Sequence, residues 1–326
     1  LEIIWSSSKN GKGFPGNVKC VKFGSKDFYK AFASSKVIVV NSTEFLRHPM
    51  PKKEGQYVIQ TWHGSLGIKR FGKEVVEGSE LAKASEYSSS ITDIIISNSE
   101  FEDKVYRETY WPENRIERWG HARNDILIRK EERDKACKKV REHFSVPEGT
   151  KIALYAPTFR DDHLFDDYSI DPEEVIKSLK ARFSGEWALM VRFHPSVRRE
   201  AVKFRQEGAG LYDATEYPDI QELMAAADCG ITDYSSWIFD YMLTRRPGFI
   251  FAPDAEKYER SFYYPLSETP FPVAYDNKAL SDNIISFDEE LYLKRLEDFL
   301  KGKGCVDDGH ASERAADAIC RLLTFK

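Results

Sequence analysis

CGITDYSSWIFDYMLTRRPGFIFA (229–252) is the stretch whose reading decides the fold class. CGITD (229–233) is an apolar run of strand length, and the polar cluster TDYSS ends it. SSWIFDYMLT (235–244) then carries apolar residues at helical spacing, and PGFIFA (247–252) is a second apolar run. A strand feeding a helix feeding a strand is the unit from which parallel sheets are wound. Neither run alternates apolar with polar, as expected of strands covered on both faces.

The same logic extends outward from this stretch. Upstream, KIALYAPTF (151–159) and WALMVRF (187–193) read as strands, and EEVIKSLKARF (173–183) and IQELMAAA (220–227) as helices. The first half repeats it: LEIIW (1–5), VKCVKF (18–23), KVIVV (36–40), QYVIQTW (56–62), DIIIS (93–97) and RIERWG (115–120) are strand-like. DFYKAFASS (27–35) and SEFEDKVYRETY (99–110) have helical spacing. Between the halves, ILIRKEERDKACKKVREHF (126–144) reads as a linker helix, broken by VPEGT with Pro147 and Gly149. The expectation is an α/β protein of two Rossmann-like doubly wound domains facing across a cleft. The first spans 1–128, a linker helix 129–149, the second 150–308, and a C-terminal helix 309–326 packs back on the first. The chain opens at Leu1 directly on a strand, so the first domain is expected to lack its start.

With 326 residues there is room for two domains, and 41% hydrophobic residues supply two cores. A net charge of −5 speaks against a nucleic-acid partner. Cys20, Cys137, Cys229, Cys305 and Cys320 form no CxxC pair and read as free thiols of a reducing cytosol. No apolar run approaches the roughly 18 residues that span a bilayer.

Four segments place polar residues where apolar strands end, the edge at which open α/β sheets bind ligands. In QTWHGSLGIKRFG (60–72), His63 follows a strand, Gly64 and Gly67 permit a tight turn, and Lys69 supplies a cation; such a His serves as a general base if its pKa lies near neutrality. In YAPTFRDD (155–162), Thr158 and Arg160 can donate to an anion. In VRFHPS (191–196), strand alternation would send Arg192 and His194 to one face. In GITDYSSWIFDYML (230–243), Thr232, Asp233, Ser235 and Ser236 stand where a helix begins, whose free N–H groups suit phosphate; Asp240, one turn on, is either part of that site or a structural partner. For each segment the competing reading is ordinary: a strand-capping His, a surface ion pair, a buried His, a helix cap. GxxxxGK[ST], HExxH and GxSxG are all missing, so a P-loop, a zinc protease site and a seryl nucleophile are not indicated. Direct displacement is favoured over a covalent intermediate.

Taken together, WHG (62–64), GHARND (120–125), YAPTFRD (155–161), RFHP (192–195), ITDYSSWIFD (231–240) and APDAEKYER (252–260) resemble, in order, the motifs of the CDP-glycerol glycerophosphotransferase family of teichoic acid primases and polymerases. The loop WHGSLGIK departs from that family's WHGTPLK but keeps its Lys at 69. The resemblance implies a GT-B architecture, with the CDP donor on the second domain and acceptor and base on the first. It implies that His63 takes the acceptor proton and that His194 steadies the donor phosphates with Thr158, Arg160, Ser235 and Ser236. Arg123 and Asp125 fall at the domain junction, touching donor or hinge. The implied reaction moves glycerol phosphate from CDP-glycerol to a hydroxyl of a cell-wall or capsule polymer, or of its lipid-linked precursor, and releases CMP. CDP-ribitol as donor, or a nucleotide-sugar glycosyltransferase of the same architecture, are the alternatives. No cofactor is implied, and no carboxylate pair suggests a metal. The implied place of work is the cytoplasmic membrane face, where YRETYWPENRIERW (106–119), mixing aromatics with Arg, could meet lipid headgroups or could be an ordinary helix and strand.

Overall fold

The computed structural model describes residues 1–7, 14–42, 50–67, 70, 80–158, 169–194, 210–258 and 262–324. The described elements run, in chain order, β1 (Ile3–Ser7), β2 (Val18–Lys22), α1 (Lys26–Ser34), β3 (Val37–Val40), β4 (Tyr57–Gln60), α2 (Glu80–Ile91), β5 (Ile94–Ser97), α3 (Glu100–Glu108), β6 (Arg115–Arg118), α4 (Asp125–Ile128) and α5 (Lys130–Phe144). There follow β7 (Lys151–Tyr155), α6 (Pro172–Phe183), β8 (Trp187–Val191), β9 (Leu211–Asp213), α7 (Ile220–Ala226), β10 (Cys229–Thr232), α8 (Trp237–Tyr241), β11 (Gly248–Phe251), β12 (Val273–Ala274), α9 (Asn277–Ile285), α10 (Glu289–Lys303) and α11 (Ala311–Thr324).

All described strand pairs are parallel. β1 pairs only with β2; β3-β4-β5-β6 form a second sheet; β12-β11-β10-β7-β8-β9 form the third. In that third sheet the chain lays down β7, β8 and β9 in one direction, then returns to place β10 on the other side of β7. The order reverses between β7 and β10, which leaves a crevice at their carboxyl ends. All four β10 residues and all five β8 residues are buried, as the continuous apolar runs required.

One helix differs from its expected role. The linker helix forms as α5, but Ala136 and Val140 enter the core of the second half, and Lys139 pairs with Glu222 on α7 at 2.6 Å. It belongs structurally to the third sheet's layer rather than standing between domains. α11 crosses back instead: Ala315, Ile319 and Leu322 pack on Ile59, Ile94 and Ile96 of the second sheet. The five cysteines carry no disulfide. Within 106–119, Tyr106, Tyr110 and Trp111 are buried together against Ile95 of β5, as in the ordinary helix-and-strand reading, while Arg107, Arg115 and Arg118 are exposed. Among the described residues no helix is long and apolar enough to cross a membrane.

Candidate active site

The carboxyl ends of β3 and β4 hold His63. Thr61 N–H bonds to the Val40 carbonyl at 2.8 Å, and the buried Gln60 side chain accepts from Trp62 N–H at 2.9 Å. The next residue turns sharply, and Trp62, not a glycine, takes the left-handed backbone at φ +51°. For a side chain this bulky that conformation costs on the order of 1–2 kcal/mol and persists where the surroundings over-determine it. Here the indole is wedged edge-on against Trp111, ring centroids 5.2 Å apart. Gly64 and Gly67 serve close approach rather than the turn. A Cβ on Gly64 would meet the Trp62 ring at 3.1 Å, and one on Gly67 would meet Ser236 Cβ at 2.9 Å.

His63 is exposed, and its Nδ1 lies 2.8 Å from the Asn41 carbonyl. A carbonyl only accepts, so Nδ1 carries the hydrogen and the neutral ring presents Nε2 as a lone pair. That is the form a general base needs.

Across the crevice, the ends of β7 and β10 are laced to each other. Thr232 Oγ1 and Trp237 Nε1 both donate to the Ala156 carbonyl at 2.7 Å, and Thr158 N–H donates to Asp233 Oδ1 at 2.8 Å. Thr232 is fully buried and Asp233 nearly so. Thr232, read as donor-binding, spends its hydroxyl on the Ala156 carbonyl, and Asp233 holds the Thr158 and Tyr234 N–H groups through Oδ1, so both shape the loop that carries Ser235 and Ser236. Ser235 and Ser236 remain half-exposed, and the Ser236 side chain makes no capping bond. The helix they precede is shorter than its apolar spacing suggested. α8 has five residues and runs into a 3-10 turn, Met242–Thr244, that stops at left-handed Arg245. Its dipole is correspondingly small, and the local N–H groups, not a macrodipole, are what it offers an anion.

β8 ends at Val191, and just beyond it Phe193 is buried between half-buried Arg192 and exposed His194. Arg192 is half-buried, donates from Nη1 to the Tyr217 carbonyl at 2.6 Å, and burial lowers its pKa; His194 is exposed at the mouth of β8. Lys69 and Arg160, the other expected phosphate cations, lie outside the described residues.

The two walls of the crevice are joined by a buried polar network that the sequence reading touched only through GHARND. Arg123 donates to the Gly64 carbonyl, next to His63, and from Nε to Asp240 Oδ2 at 3.0 Å. Burial works against its charge, and Asp240 outweighs that, holding its pKa above the ordinary value. Asn124 Nδ2 shares Asp240 at 3.1 Å and reaches Asp307 at 3.2 Å. Asp307 also accepts from His121 N–H at 2.7 Å and Asn98 Nδ2 at 2.8 Å; burial raises its pKa. Asn98 reaches on to Ser65 Oγ at 3.2 Å. Beneath lies buried Glu102, 2.9 Å from His121 Nε2 and accepting from Asn98 N–H at 2.8 Å. Burial alone would raise the Glu102 pKa; His121 and the N–H bond more than reverse it, so the carboxyl sits below its ordinary value. Asp240 is thus the structural partner, not a donor ligand, and Asp125 is likewise committed: its carboxylate accepts from Ala311 and Ser312 N–H and caps α11. Asn98 and Glu102 follow the strand DIIIS and were findable by the strand-end rule. Asp307 gave no local signal. Among the described residues no three His, Cys, Asp or Glu side chains converge to hold a metal ion.

The chain is similar to known proteins over nearly its whole length. Residues 1–321 match the model of a family described as CDP-Glycerol:Poly(glycerophosphate) glycerophosphotransferase. A teichoic acid poly(glycerol phosphate) polymerase of Staphylococcus epidermidis is 30% identical over 97% of this chain, which spans 46% of that polymerase. A teichoic acid ribitol-phosphate primase of Bacillus spizizenii is 31% identical over 90% of this chain and 76% of its own length. A solved structure of a variant of the wall teichoic acid polymerase TagF, soaked with CDPG, superposes with a TM-score of 0.83 at 28% identity, covering 98% of this chain and 80% of that one. With its motifs in order, its two walls in place and a family model matching nearly its whole length, the chain belongs to the CDP-Glycerol:Poly(glycerophosphate) glycerophosphotransferase family.

Proposed function

We propose that this chain transfers glycerol phosphate from CDP-glycerol to a hydroxyl of a teichoic-acid-type polymer or its lipid-linked precursor. The observation that carries the reading is the pairing across the crevice. An exposed imidazole whose Nδ1 is held by the Asn41 carbonyl stands on one wall, and the Gly67 end of its own loop meets Ser236 at the strand-order switch of the other.

The acceptor oxygen attacks the glycerol-bearing phosphorus while its proton passes to His63 Nε2. The bond from that phosphorus to the bridging oxygen breaks, and CMP leaves with the electron pair. Charge spreads over the phosphoryl oxygens, where fixed donors and positioning supply most of the rate. Ser235 and Ser236 hydroxyls, the N–H groups at the start of α8, His194 and Thr158 are the donors assigned to the phosphates, with Lys69 and Arg160 as further cations. Arg192 and Arg123 act from behind these groups. The reading needs no resident cofactor or metal. It puts the work at the cytoplasmic membrane face, where a lipid-linked acceptor would be met by peripheral contact, and it involves no nucleic acid. A second reading, CDP-ribitol as donor, is favoured by the ribitol-phosphate primase among the relatives.

Incubation with CDP-glycerol or CDP-ribitol and a synthetic lipid-linked acceptor, with and without EDTA, tests this by mass analysis of the acceptor and by CMP release. The expected result is glycerol phosphate added from CDP-glycerol, unchanged by EDTA, and lost by about 10²–10⁴-fold in His63→Ala. Release of CMP only from CDP-ribitol selects the second reading. Turnover of neither donor overturns both.

A further inference from the structure

We propose that Arg123 is a positioning residue that sets the distance between the base and the donor phosphates. The inference deepens the reading of His63 as base and rests on it. Arg123 follows β6, on the wall that carries His63. One arm of its guanidinium holds the Gly64 carbonyl, one peptide from His63, and Nε holds the Asp240 carboxylate. Asp240 lies on α8, four residues after Ser236. One rigid, planar group therefore spans from the peptide after the base to the helix whose start faces the donor.

The anchors at either end are fixed. Asp240 is buried and also accepts from Asn124 at 3.1 Å, and Asn124 is tied to Asp307. The Gly64 end belongs to a turn already held by strained Trp62 and by Gln60. Tyr264 of the second half donates to the Leu66 carbonyl, and Leu66 is buried in the second half's core. The loop bearing the base is thus seated on both walls: Arg70 ties its far end to the Phe262 carbonyl at 2.9 Å, and Arg123 ties its Gly64 end to Asp240. A lysine has one point charge where this site uses two directions of a planar fork, so it cannot hold both ends at once. Displacement of reacting groups by about 1 Å costs about 10²-fold in rate.

The test uses the full chain and its Arg123→Lys, Arg123→Ala, Asp240→Asn and His63→Ala variants. Readouts are kcat, the KM for CDP-glycerol, CMP affinity by calorimetry and the melting temperature. Arg123→Lys is expected to lower kcat by about 10²-fold while the donor KM and CMP affinity stay within about twofold. Asp240→Asn, which keeps shape and removes the charge, is expected to lower kcat by about tenfold, and the double variant to be no worse than Arg123→Lys alone, as coupled partners behave. Where Arg123→Ala fails to fold, Asp240→Asn and Arg123→Lys decide. Wild-type kcat in Arg123→Lys beside an inactive His63→Ala overturns this proposal alone. So does a loss shared equally by kcat and CMP affinity, which would make Arg123 a donor ligand. A fully active His63→Ala overturns the base reading, and this inference with it.

Discussion

Every residue of β8 from Trp187 to Val191 is buried, whereas Val39 in β3 is 53% exposed and β1 shows Ile3 and Trp5 to solvent. The contrast runs through both halves. The second half packs one continuous core from Ile152 to Leu296, into which α5 and even Leu66 of the first half are drawn. Among its described residues the first half has only small clusters, such as Val40 with Val58 and Ile91, Ile95 with Tyr106, Tyr110 and Trp111, and Ile59 with Ile94 and Ile96. What it lacks in core it replaces with buried polar ties around Asn98, Glu102, His121 and Asp307. The difference teaches that the second half is rigid by packing and the first by hydrogen bonds and by borrowed surface.

The largest effect that could break this comparison comes from the core of the second half. Leu189→Ala is expected to cost about 2–5 kcal/mol and to unfold both halves in one transition, read by chemical denaturation. A first half that keeps its far-UV signal through that transition would show it stands by its own packing. A smaller effect concerns the polar ties. The Glu102 pKa is lowered in the folded state, so its contribution to stability is present above its ordinary 4.5 and lost as pH falls through the depressed value. Glu102→Gln should therefore lower the urea midpoint at about pH 6, and the gap to the parent protein should close toward about pH 3. A gap that stays constant with pH would remove Glu102 from the account. The smallest effect is at the cap of α11. Asp125→Ala is expected to cost about 0.5–2 kcal/mol. It should speed amide exchange in β3, β4 and β5 while leaving β7, β8 and β10 unchanged; uniform acceleration would contradict the division drawn above.

Much of this was legible in the residues. The strands appear where apolar runs were read, and the trimmed ends lie where polar side chains take over: QYVIQTW yields Tyr57–Gln60 because Thr61 and Trp62 already turn. His63, Ser235 and Ser236 were found by the strand-end rule and stand on facing walls of the crevice. Periodicity failed in two ways. It read 235–244 as one helix, although a buried segment can end on Arg245 in a left-handed turn that spacing does not reveal. It also read 126–144 as a linker, because an amphipathic pattern tells that a face is buried but not against what. The network at the junction was illegible for another reason. Asn98, Arg123, Asp240 and Asp307 are brought together by topology; Arg123 and Asp240 drew notice singly and Asn98 lay open to the strand-end rule, but no spacing told that they meet. Trp62 was hidden because nothing in its residue type favours a positive φ.

The path of α11 sets an order of events. The ribosome makes residues 311–324 after every strand they cover, so Ile59, Ile94 and Ile96 wait with one face bare until α11 has been made. The wall that carries the imidazole therefore closes only after the strands of the second half have been made.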